Sequence, residues 1–107
     1  MVKVKYHRFY NKLTVEGHAG SAPKGEDLVC SAASILVHTL RANVENMEKA
    51  GIIAKPETEI RDGYAKIKCR AVRGNENTVA AVYQAVCVGF EILSDKFPDY
   101  ISFKILG

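Results

Sequence analysis

Apolar and polar residues alternate at the start of the chain. Val2, Val4 and Tyr6 fall on one side, and Lys3, Lys5 and His7 on the other. A period of two predicts a half-buried strand through Tyr10. Asn11-Lys12 is the expected hairpin turn, and Leu13 to Gly17 returns as a second strand with Leu13 and Val15 inward. The register then sets Tyr10 opposite Leu13, His7 opposite Glu16 and Lys5 opposite His18. Beyond it the pattern breaks. Gly20, Pro23 and Gly25 predict a loop from His18 to Glu26. Asp27 is a candidate N-cap. From Leu28 to Met47 the period changes to that of a helix, with Leu28, Val29, Ala32, Ala33, Leu36, Leu40, Val44 and Met47 in one stripe. Gly51 is a natural stop.

Glu57 to Asp62, a turn at Gly63, and Tyr64 to Val72 make a second expected hairpin. Ala65, Ile67, Cys69 and Ala71 share one face of it, and Lys66, Lys68 and Arg70 the other. A second helix follows Gly74-Asn75, with its stripe at Val79, Val82, Tyr83, Val86, Phe90, Leu93 and Phe97, and ends at Pro98. Tyr100 to Leu106 is a last strand with Ile101, Phe103 and Ile105 inward. The order is β-β-α-β-β-α-β. It predicts an α+β fold with a mostly antiparallel sheet of about five strands and two main helices covering it.

Length sharpens this picture. The 107 residues suit one domain spanning 1–107, large enough to bury a core without a disulfide or structural metal. Apolar residues make up 48% and charged ones 25%, so neither a disordered nor a membrane-embedded chain is expected. No apolar run approaches the roughly 20 residues that span a bilayer. The N-terminus lacks the apolar core of a secretory signal. Three cysteines with no CxxC point to free thiols in a reducing cytoplasm. The net charge of +3 permits an acidic or nucleic-acid partner but does not require one.

The candidate chemistry lies in EGHAGSAPKGEDLVC, from Glu16 to Cys30. Cys69 and Cys87 fall on apolar stripes and are expected to pack as small hydrophobes. Cys30 differs. With Asp27 as N-cap it is the third residue of a helix, where partial positive charge favours the thiolate. His38 follows two helical turns later, about 12 Å along the axis, too far for a hydrogen bond. His7 is expected on a strand surface. His18 stands at a strand end whose loop must return to the Cys30 helix, a placement suited to proton transfer. Asp27 either caps the helix or orients His18; its charge beside the sulfur opposes the anion, which favours the cap. A metal site from His18, Asp27 and Cys30 matches no zinc spacing.

Gly17, His18 and Ala19, then Gly25, Asp27, Leu28, Val29, Cys30, Ala32 and Ser34, resemble the signature of the ribosomal-processing cysteine proteases, the Prp family. The twelve-residue spacing from His18 to Cys30 fits, and the likeness extends along the chain. Ser31 and Ala33 depart from the commoner alanine and valine. The resemblance implies a homodimeric endopeptidase. It removes a short N-terminal extension from a bacterial large-subunit ribosomal protein precursor. Cys30 would be the nucleophile and His18 the general base of a dyad working through a thioester. Gly17, Asp27 and Ser34 would support it, and the Ala19, Gly20 and Gly25 loop would close on the peptide. No cofactor, metal or membrane is implied, and nucleic acid is not required.

Two other classes remain at this level. One is a non-catalytic ribosome- or RNA-associated module using Lys3, Lys5, Arg8, Lys66, Lys68, Arg70 and Arg73. The other is a thiol redox protein, which would need Cys69 or Cys87 as a resolving partner for Cys30.

Overall fold

The structure is a computed structural model and describes residues 1–18 and 24–107, with side chains described at 1–18 and 28–107. Strand β1 spans Val2–His7, β2 Lys12–Glu16, β3 Ile53–Arg61, β4 Tyr64–Ala71 and β5 Ile101–Leu106. Helix α1 spans Lys24–Lys49 and α2 Glu76–Lys96. The strands form one sheet in the order β3-β4-β2-β1-β5. All pairs are antiparallel except β1 with β5. The expected α+β class and element order therefore stand, with one parallel pair added.

That pair has a simple origin. β2 and β3 run the same way with β4 between them, and β4 and β5 run the same way with β2 and β1 between them. Each such pair is joined by a helical crossover, α1 in the first case and α2 in the second. Both helices cover the same side of the sheet and meet along each other. They come close where Gly89 faces Leu36; a Cβ on Gly89 would stand 2.6 Å from Leu36 Cδ2.

The covered side holds the core. Val4 pairs with Val15 and Val15 with Ala65, while Tyr6 pairs with Leu13 and Leu13 with Ile67. These rows meet Val29, Leu40 and Val44 of α1 and Val79, Tyr83 and Phe90 of α2, all buried. Tyr83 stacks on Tyr6 with ring centroids 5.8 Å apart. Its hydroxyl donates to the Ile67 carbonyl at 3.2 Å, which satisfies a buried polar group. By length and composition alone α2 would span a membrane. Here its apolar stripe packs on the sheet and α1, as a core helix does.

Several boundaries differ from the sequence reading. β1 ends at His7, and Arg8–Tyr10 form a single 3-10 turn closed by Asn11 in the left-handed region (φ 46°). The register becomes His7 opposite Lys12 and Lys3 opposite Glu16, so the expected pairs Tyr10–Leu13, His7–Glu16 and Lys5–His18 do not form. A longer turn lets Tyr6 face Leu13, so that both bury their side chains on one side.

Helix α1 begins at Lys24, not after Asp27, so Lys24, Gly25 and Glu26 are helical and Asp27 is not its N-cap. A glycine in a first turn costs about 1 kcal/mol, little against the buried stripe of a 26-residue helix. β3 begins at Ile53 instead of Glu57 because a bulge between Ala54 and Glu57 absorbs Pro56, with Lys55 left-handed (φ 52°). The helices cover only the start of edge strand β5. Ile101 is buried, Phe103 half-buried, and Ile105, expected inward, is 51% exposed.

The other side of the sheet is open. Across it run the rows Lys104–Lys5–Thr14–Lys66–Glu59 and His7–Lys12–Lys68–Glu57.

Candidate active site

The site is built where β2 leaves the sheet. Gly17 has φ +107°, and a Cβ there would collide with the Met1 carbonyl oxygen. A side chain is therefore excluded twice, by backbone conformation and by contact. The Gly17 amide donates to the Gly63 carbonyl at 2.9 Å, which ties the end of β2 to the β3–β4 turn. The Met1 ammonium donates to the His18 carbonyl at 3.0 Å. His18 is thus held by the first residue and by the hairpin turn.

That turn is Asp62-Gly63, a two-residue Asp-Gly connection of the sort favoured in hairpins, closed by the pair Arg61–Tyr64. Gly63 lies directly under the His18 ring, and a Cβ on it would be 2.5 Å from His18 Nε2. Asp62 Oδ2 is 3.9 Å from the same nitrogen, with side chains 98% and 61% exposed respectively. Water screens such a pair, so it guides the ring more than it stabilises the fold. The Arg61 guanidinium sits 4.4 Å above the Tyr64 ring at the rim.

His18 and Cys30 line one recess of about 250 Å³. Its walls include Ser34, Val37 and His38 of α1, Val2, Val15 and Gly17 at the strand ends, and Asp62, Gly63 and Tyr64 of the hairpin. This lies below the roughly 300–1,000 Å³ of typical small-molecule sites. It suits a side chain of a peptide better than a whole cofactor.

Cys30 is exposed, whereas Cys69 and Cys87 are buried. Burial pushes the Cys87 thiol up to about 12, with the nearby Glu91 charge adding to the effect. Burial also raises Cys69, partly offset by a hydrogen bond from Tyr83. Both behave as packing residues. Neither offers an exposed resolving thiol to Cys30, which removes the basis for a redox role.

The sequence-predicted residues distribute as follows. His18, Cys30, Ser34 and Gly17 come together at the recess. Asp27 lies in α1 one turn before Cys30, but its side chain lies outside the described residues. Gly25 is in the first turn of α1 instead of a loop. Ala19 and Gly20, and with them the expected closing loop, lie outside the described residues. Cys30 is the seventh residue of α1, not the third. The unpaired amides of a helix start belong to its first turn, here residues 24–27, so the Cys30 amide is not one of them.

His38 lines the same recess, and its Nδ1 accepts from Arg41 Nε at 3.3 Å. Asp62 and Gly63 were not anticipated. The Asp-Gly pair marked a turn, but nothing local indicated that the turn would seat a histidine 45 residues earlier in the chain.

An exposed cysteine and a strand-end histidine line one recess, sized for a peptide side chain, on a helix-covered five-stranded sheet, an arrangement open to thiol chemistry. Comparison with known proteins makes the class specific. Residues 1–102 match the family described as Cysteine protease Prp, and the chain belongs to that family. Among solved structures, SMU.848 from Streptococcus mutans is 25% identical, with a TM-score of 0.68 over 98% of this chain and 91% of that one. The ribosomal processing protease Prp from S. aureus, in complex with a covalently linked product peptide, is 20% identical, with a TM-score of 0.71 over 99% of this chain and 100% of that one. The same S. aureus protease with a substrate peptide is 19% identical, with a TM-score of 0.68 over 98% and 97% of the two chains. No curated protein matches the chain.

Proposed function

We propose that this protein is the endopeptidase that trims an N-terminal extension from a bacterial large-subunit ribosomal protein precursor, with Cys30 as nucleophile and His18 as general base. One observation carries the residue assignment. The exposed thiol and the histidine seated on the hairpin line the same recess, within a cysteine protease family. The S. aureus relative bears the name ribosomal processing protease and was captured with peptides, which supports a peptide substrate of the same origin.

The chemistry follows from these groups. His18 takes the Cys30 proton and the sulfur adds to the scissile carbonyl. Collapse of the tetrahedral species breaks the C–N bond, and the imidazolium returns its proton to the leaving amine. The acyl group remains on sulfur as a thioester. Water, deprotonated by His18, then releases the new carboxylate and restores the thiol. Asp62, on the Nε2 side of the ring, favours the tautomer with its proton there and leaves Nδ1 as the acceptor. Ser34, one turn beyond Cys30, shapes the floor. Oxyanion donors come from the first turn of α1.

The active form in this reading is a cytoplasmic homodimer, and the exposed Ile35, Val88 and Ile92 on the outer helix faces offer it an apolar surface. Incubating the precursor with wild type, Cys30→Ser and His18→Ala tests the assignment. Each variant is expected to lose at least 1,000-fold in cleavage rate, in line with removal of a catalytic nucleophile or base. Cleavage by either at the wild-type rate rejects it.

A further inference from the structure

The uncovered side of the sheet has a chemistry that peptide cleavage does not use. Alternation along the strands puts Lys3, Lys5, Lys12, Arg61, Lys66, Lys68, Arg70 and Lys104 on this side, against Glu16, Glu57 and Glu59. Those eight cations and three carboxylates leave a local excess of +5, more than the +3 of the whole chain, so the rest of the molecule is slightly acidic. Among the described residues only one pair on this side comes within ion-pair reach, Lys68 Nζ to Glu57 Oε2 at 4.0 Å. Lys3 and Lys66 lie opposite Glu16 and Glu59, while Lys5, Lys12, Arg70 and Lys104 have no carboxylate opposite them in register. Directly opposed like charges destabilise a sheet, yet Lys5 and Lys104 face each other.

At one end the lysine rows run into a second recess of about 460 Å³. Phe9 and Tyr10 of the 3-10 turn wall one side, the Lys55–Pro56 bulge the other, and Lys68 and Arg70 line it together with Glu57, the partner of Lys68. The two rings are 74% and 65% exposed. Each already has a cation beside it: Arg8 5.2 Å from the Phe9 centroid and Lys68 6.0 Å from that of Tyr10. This end lies opposite the His18 recess along β2 and β4.

We propose that the open sheet face and this aromatic recess bind single-stranded RNA. Unpaired lysines along a surface track phosphates, and exposed rings beside them stack bases; this pairing of features is what binds single strands without a sequence code. A duplex keeps its bases stacked inside and has no use for the rings. An anionic membrane would match the charge, but rings that line a concavity do not project into a bilayer. An acidic peptide would match the lysines and leave the rings unused.

The test uses the full chain and a fluorescein-labelled single-stranded 12-mer RNA, with binding followed by anisotropy across a KCl series. Association is expected to weaken with salt, with a log–log slope of about −0.7 for each phosphate neutralised. Lys5→Gln with Lys66→Gln should flatten that slope by about 1.4. Phe9→Ala with Tyr10→Ala should weaken binding at least tenfold while leaving the slope unchanged. Peptide cleavage by all these variants stays at the wild-type rate, because none lines the His18–Cys30 recess. Affinity indifferent to both double substitutions overturns the proposal. So does tighter binding to duplex RNA, to polyglutamate or to phosphatidylserine vesicles than to the single strand.

Discussion

The imidazole of His18 rests on Gly63, with so little clearance that a methyl group there would stand 2.5 Å from Nε2. The β3–β4 turn is therefore the seat of the histidine proposed as general base, and the absent side chain there is open to test. Gly51 provides the control. It has the same φ of +74°, and nothing lies within 4 Å of its missing Cβ. Both Gly→Ala substitutions meet a left-handed backbone, at a cost of about 1–2 kcal/mol. Gly51→Ala should lower the melting temperature and keep full activity. Gly63→Ala should lower the melting temperature similarly and cut kcat/KM at least tenfold. Equal activity in the two variants would remove Gly63 from the site.

Asp62 acts on the same ring from the exposed side of the turn. Asp62→Asn keeps the Asp-Gly-like turn chemistry and removes the charge 3.9 Å from Nε2. A fall in kcat of roughly threefold with unchanged KM and melting temperature is expected, the signature of a positioning residue. Peptide-substrate kinetics at low and high salt provide the check. High salt screens an exposed pair, so the difference between wild type and variant should shrink.

The thiols should divide sharply under alkylation. Cys30 is exposed, while Cys69 and Cys87 are buried with their thiols held protonated by that burial. Iodoacetamide near pH 6, followed by peptide mass analysis, should modify Cys30 alone. His18→Ala should slow that labelling if the imidazole takes up the thiol proton. Modification of Cys69 or Cys87 in the native protein would contradict the packing.

The same burial predicts alkaline instability. In the unfolded chain Cys87 ionises near its ordinary value of 9.0, whereas in the fold it is pushed up to about 12. Below 9 both states hold the proton and the contribution to stability is complete. Between 9 and 12 the unfolded state binds fewer protons, so stability falls as pH rises, by about 1.4 kcal/mol per pH unit for each such group. Tyr83, Tyr6 and Cys69 are raised by burial as well and act in the same direction. Urea midpoints from pH 7 to 11 should stay level and then drop steeply above 9. Cys87→Val should make the drop shallower.

Much of this arrangement could be read along the chain. The alternation in Val2, Val4 and Tyr6 and in Ala65, Ile67 and Cys69 identified the buried side of two strands, because one covered sheet face imposes a period of two. The stripes of α1 and α2 were nearly as plain, except that Leu28 is exposed and Val37, outside the expected stripe, is buried. The pairing of the first hairpin was not, because a 3-10 turn and a two-residue turn look alike in composition but shift every partner. A local breaker misled at Gly25, where a long buried stripe absorbed the cost, and the start of β3 was missed because it lies before a bulge. His18 and Cys30 stood out through their setting. Asp62 and Gly63 did not, because what matters about them is a contact across the sheet end, and no local periodicity carries that.

Edge strand β5 pairs with β1, Val2 opposite Ile101. The Val2 amide also donates to the Tyr100 carbonyl at 2.9 Å, and Val2 forms part of the wall around His18 and Cys30. A substitution that loosens this edge strand therefore reaches the recess at a distance, through Val2.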